Sequence, residues 1–94
     1  AEAEAILSAY DEIGMRASYC YAVRDQNRMV YADDREFVAG LPPGLRERAR
    51  DFMGRLAIPL DDQLGLFRDL RGRWAGQRRL AIQLAPANLH WCSD

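Results

Sequence analysis

Two short stretches hold most of the side chains that could do chemistry, and each directly follows an apolar run. The first is Arg24-Asp25-Gln26-Asn27-Arg28, where Asp25 and Gln26 offer acceptors and donors for the polar edges of a small molecule. The second is Pro86-Ala87-Asn88-Leu89-His90-Trp91-Cys92, where Asn88 and His90 can hydrogen-bond and Trp91 can stand as an apolar wall or stack on a flat ring. In parallel α/β folds such groups gather beyond the carboxyl ends of strands, where successive loops converge on one crevice. Asp25, Gln26, Asn88, His90 and Trp91 are therefore the substrate-binding candidates. The structural alternative is equally concrete: a turn that caps a strand, a histidine held by packing, and a tryptophan that plugs the end of a core.

Other chemistries find little support in the residue types. One His and two Cys, with no Cys-x-x-Cys and no His-x-His, make a poor metal-ligand set, so no metal ligand is assigned within the chain. Neither Ser8 nor Ser18 sits in a nucleophile-elbow sequence, and no catalytic residue is assigned. The chain contains no G-x-G-x-x-G and no Walker pattern, the usual phosphate cradles.

The elements that must position the two stretches can be read from periodicity. From Glu4 to Ile13, apolar residues Ile6, Leu7, Tyr10 and Ile13 recur at helical spacing, and Gly14 follows where a left-handed cap would sit. Met15 to Val23 reads as a strand through Tyr19, Tyr21 and Val23, and its nearly continuous apolar character suggests cover on both faces. Asp33-Asp34 offers an N-cap for a short helix through Val38, closed by Gly40. After Pro42-Pro43, the stripe Leu45, Ala49, Phe52, Met53 and Leu56 predicts a second helix of this connection, with Glu47, Arg48, Asp51 and Arg55 on its wet side. A third runs from about Asp61 to Trp74 on Leu64, Phe67, Leu70 and Trp74, with acids at its start and Arg71 and Arg73 near its end. Arg79 to Ala85 alternates as a strand, Pro86 stops it, and Ser93 suits a helix N-cap.

The order is helix, strand, three helices, strand: an α/β arrangement whose parallel strands are joined by a long helical crossover. Two strands cannot cover the apolar faces of four helices, so exposed apolar surface and self-association as a homo-oligomer are expected.

The totals bound the partners. Thirteen basic residues, all Arg, against fourteen acids leave a net charge of −1, which argues against nucleic acid or an anionic membrane as the ligand. No apolar run reaches the roughly 18–20 residues of a spanning helix, and the Ala/Glu start lacks a secretory pattern. Cys20 and Cys92 suit reduced thiols, so a cytoplasmic location is expected.

Two stretches carry a family likeness: Ile13-Gly14-Met15-Arg16-Ala17-Ser18-Tyr19, and Arg79-Leu80-Ala81-Ile82-Gln83-Leu84-Ala85-Pro86 running into Trp91-Cys92-Ser93-Asp94. They resemble the third and fourth strands of metal-dependent amidohydrolases, in the branch of chlorohydrolases and deaminases of nucleosides and cyclic amidines. The likeness covers nearly the whole chain in order and spacing. It implies that residues 1–94 are one segment of a larger (β/α)8 TIM barrel domain, in which a divalent metal, zinc or iron, activates water. The metal would be held by strands other than these two, so the segment would bind none and would supply contacts to a small-molecule substrate. Many members carry a His directly after the fourth-strand Pro; here Ala87 stands there and His90 lies three residues later. The function so implied is hydrolysis of C–N or related bonds in a small nitrogen-containing substrate, cyclic or open, with the segment inactive alone. The rival readings are a small non-catalytic, mostly helical module for interaction or dimerisation, and a regulatory α/β domain that binds an effector without metal.

Overall fold

A computed structural model describes residues 2–94. The elements are α1 (Glu2–Glu12), β1 (Ala17–Val23), α2 (Asp34–Ala39), α3 (Pro43–Leu56), α4 (Leu60–Arg73) and β2 (Leu80–Pro86). The chain is thus a small α/β unit in which β1 and β2 pair in parallel, in register from Ala17↔Leu80 to Val23↔Pro86.

Local chemistry explains most of the boundaries. Gly14 takes a φ of 73°, which a side chain would resist, and this lets Met15 N–H reach back to the Tyr10 carbonyl at 2.9 Å and close α1. Asp33 caps α2 by accepting from the N–H groups of Arg35 and Glu36. The fixed φ of Pro43 suits the first turn of α3, and Pro59 directly precedes α4. Asp61 and Asp62 then sit at the positive end of α4, with Arg71 and Arg73 at the negative end.

β2 ends at Pro86, as its residue type suggests, but includes Pro86 as its last residue. The ladder bond at that level comes from Ala87 N–H to the Val23 carbonyl at 3.0 Å. Because successive N–H groups alternate sides, the ring of Pro86 falls on the edge away from β1 and costs no bond.

The core is small and one-sided. Leu7 of α1, Leu70 of α4, and Leu80 and Ile82 of β2 form it, flanked by Tyr10, Tyr19, Tyr21, Phe67 and Trp74. Both α1 and α4 therefore cover the same face of the sheet. The expected cover on both faces of β1 is not present: Ser18, Cys20 and Ala22 are exposed, while Ala17, Tyr19 and Tyr21 turn inward. The near-continuous apolar run misled because small residues, Ala and Cys, read as apolar on whichever side they lie.

α3 stands apart. It packs on α2 and has no buried residue; Leu45, Phe52 and Leu56 are each about half exposed, at 48, 51 and 54%. The radius of gyration is 16.8 Å, against about 12 Å for a compact chain of this length. No helix of the described residues is long and apolar enough to cross a membrane.

Candidate functional site

Beyond the carboxyl ends of both strands, residues 24–34 and 88–93 meet and bond to each other. β1 ends at Val23 and β2 at Pro86, so the parallel pairing delivers the two loops side by side. Asp25 N–H and Gln26 N–H both donate to the Trp91 carbonyl, at 3.0 and 3.2 Å. Gln26 Nε2 donates to the carbonyls of His90 and Cys92, at 3.3 and 3.1 Å. Asn27 Nδ2 donates to the same His90 carbonyl, with Asn27 itself held at a φ of 49°, a left-handed conformation that Asn tolerates. Asp25 accepts from Ser93 N–H at 2.8 Å through one carboxylate oxygen and from the Ser93 hydroxyl through the other. These Ser93 bonds, the hydroxyl first, hold the Asp25 carboxyl below the usual carboxylate range; partial desolvation opposes them, and Arg28 adds a smaller pull downward.

All five substrate-binding candidates are thus brought together, and much of their polar capacity is spent on one another. Asn88 Oδ1 accepts from His90 N–H at 2.8 Å in a local turn. The Trp91 ring lies 5.5 Å from Tyr31, nearly parallel at 16°, and the Arg24 guanidinium sits 4.5 Å from its centre. The Tyr31 and His90 rings also meet edge to face, with centroids 5.6 Å apart. Trp91 is therefore a half-buried packing residue of the loop cluster. The Asn88 amide nitrogen, the Gln26 carbonyl oxygen and the His90 ring nitrogens carry no hydrogen bond among the described residues. Within this cluster two donors, Arg24 Nε and Trp91 Nε1, are buried without a partner among the described residues. Beside the cluster, Pro86, Asn88, Leu89, Cys92, Ser93 and Asp94 line an open concavity.

The sequence reading missed the two residues that anchor this arrangement. Gln63, buried in the first turn of α4, treats Arg24 as a neighbouring strand would: its Oε1 accepts from Arg24 N–H at 3.2 Å and its Nε2 donates to the Arg24 carbonyl at 3.1 Å. Nε2 also donates to the Ile58 carbonyl at 2.8 Å. A signal for it existed, since 63, 67, 70 and 74 share one helix face, and a lone amide on an apolar stripe needs buried partners. Arg24 is the second. Its guanidinium donates to the carbonyls of Asn27 and Arg28 while covering Trp91, and Arg28 in turn pairs with Asp34 at 3.3 Å. The first loop is therefore half-buried and tied to the start of α2, rather than a solvated turn. Ser93, whose residue type suits a helix N-cap, also donates its hydroxyl and N–H to Asp25.

The residues do not fit a divalent metal. No three His, Cys, Asp or Glu side chains gather among the described residues. Asp25 is engaged by Ser93, and the Cys92 thiol donates to the Val23 carbonyl at 3.2 Å. Cys20 and Cys92 are both free thiols. Compared with known proteins, the chain matches no family model and shows no significant similarity to any curated protein or solved structure.

Proposed function

We propose that this chain contributes two adjacent strands of a (β/α)8 barrel in a metal-dependent hydrolase that cleaves C–N or related bonds of a small nitrogen-containing molecule. The observation that carries this reading is the placement of α1 and α4 on one face of a parallel strand pair, which leaves the other face bare. A doubly wound sheet carries helices on both faces, whereas a barrel keeps every helix outside. The bare face, Ser18, Cys20 and Ala22 beside Ala81, Gln83 and the half-buried Ala85, would then look into the barrel, where facing strands would cover it. Gln83 already donates to Ser18 across that face.

In this reading the joined loops form part of the rim over the substrate. The Asn88 amide and the His90 imidazole, with bonding capacity to spare, contact polar substrate edges, and Gln26 adds its carbonyl oxygen. Asp25 and Trp91 hold the rim in shape from beneath. The metal that would activate water belongs to other strands of the barrel, and this segment orients the substrate toward it.

The test is hydrolysis of a panel of cyclic amides and amidines by the longest natural reading frame that encodes this chain, supplied with zinc or iron. Hydrolysis is expected, and Asn88→Ala and His90→Ala should each lower kcat/KM by about ten-fold or more relative to the surface control Glu47→Ala. No turnover of any member of the panel, or equal kinetics in all three variants, would overturn the proposal.

A further inference from the structure

The stripe on α3 has a spacing and a charge frame that select what can cover it. Leu45, Ala49, Phe52 and Leu56 follow a four-three-four spacing, the seam that packs against another helix. At 100° per residue, Arg48 and Arg55 border this seam on one side, Arg46 and Arg50 lie on the other beyond Met53, and Glu47 and Asp51 fall on the back. Four arginines against two acids make α3 basic where its apolar residues are bare. Arg48 and Arg55 form no ion pair among the described residues.

α1 presents the opposite surface. It has no basic residue, and its outer side carries Glu2, Ala5, Ser8, Ala9 and Glu12, all exposed, followed by Ile13 at 69% exposure. Glu4 pairs with Arg73 and Asp11 with Arg79, which leaves Glu2 and Glu12 unpaired among the described residues. Alanines at positions 5 and 9 let the bulky Leu45, Phe52 and Leu56 of another helix approach closely. Antiparallel stripe-to-stripe pairing of two α3 helices is disfavoured, because Arg48 and Arg55 would face their own copies, and no α3–α3 pairing offers these arginines a row of acids, since Glu47 and Asp51 lie on the back.

We infer that the chain self-associates through α3 of one copy packed on α1 of another, with the arginine-framed α3 stripe seated on the acidic surface that Glu2 and Glu12 frame on either side of Ala5 and Ala9. The contact is between two different patches, so copies join head to tail, either closing into a ring or reciprocally into a dimer. This inference does not depend on the hydrolase reading.

Sedimentation of the purified chain across a concentration series tests it. Association is expected at low ionic strength and should weaken by at least about ten-fold when salt shortens the Debye length from roughly 20 Å to roughly 4 Å. Arg48→Glu with Arg55→Glu, and separately Glu2→Arg with Glu12→Arg, should each weaken self-association by about ten-fold or more, with unchanged circular dichroism. An equimolar mixture of the two variants should associate again, because each then offers the charge the other lacks. A monomer at every concentration, association indifferent to Glu2 and Glu12, or a mixture that stays apart would each overturn the α3-on-α1 contact.

Discussion

The strand-end cluster and α3 are opposites in how they use their side chains. The cluster holds few buried apolar residues, yet its backbone and side-chain groups are tied by a dozen hydrogen bonds from Arg24, Asp25, Gln26, Asn27, Gln63 and Ser93. α3 has three half-bare large apolar residues and, among the described residues, no side-chain hydrogen bond or ion pair beyond the Arg46 bond to the Leu41 carbonyl. Polar pins fix the shape of a loop because each bond is directional, while their net contribution is modest since water competes for every partner. Apolar stripes supply free energy only when covered, and they do so without specifying what covers them. One region is therefore shaped by bonds within this chain, whereas the other is left half bare within it.

Three substitutions sharpen or break this contrast, beginning with the one of largest effect. Gln63→Ala removes one side chain that serves three backbone groups, at a site where water enters poorly. It should cost about 2 kcal/mol in urea denaturation, and a loss near zero would show that Gln63 is not the anchor of β1's end.

Asp25→Asn should act through pH. The Asp25 carboxyl titrates below its ordinary value in the folded chain, so its stabilising effect is complete above about pH 3.9 and fades as the pH falls through the lowered value. Wild type should therefore exceed the variant in thermal midpoint at neutral pH, and the gap should narrow steadily as the pH falls below the ordinary carboxylate range. A gap that is constant with pH would mean that the charge of Asp25 plays no part in joining the loops.

Phe52→Ser should change the stability of the dilute chain least, within about 0.5 kcal/mol, because the side chain is already half in water. A destabilisation of several kcal/mol at high dilution would erase the contrast by showing that α3 is packed within the single copy.

The elements were largely legible in the sequence, and the residues show why. Gly14, Asp33 and the Pro-Pro and Asp-Asp starts of α3 and α4 act through their nearest neighbours, so their effect is visible without a fold. The five candidate residues were also legible as a set, because strand ends concentrate polar groups. Their partners were not. The bonds from Gln26 to the His90 and Cys92 carbonyls span more than sixty positions, and nothing in the local pattern announces them. Gln63 hid for a related reason: an amide is ordinary in a helix, and only the neighbouring Arg24 backbone makes it an anchor.

The sequence by itself determined where helices and strands begin, which helix faces are apolar and which carry charge, since these depend on side-chain type and period alone. The tertiary structure alone decided that α1 and α4 share one face of the sheet, that Trp91 is spent on Arg24 and Tyr31, and that the α3 stripe is left bare. Those outcomes follow from which distant segments arrive at the same place, and the parallel register of Val23 with Pro86 sets that meeting point.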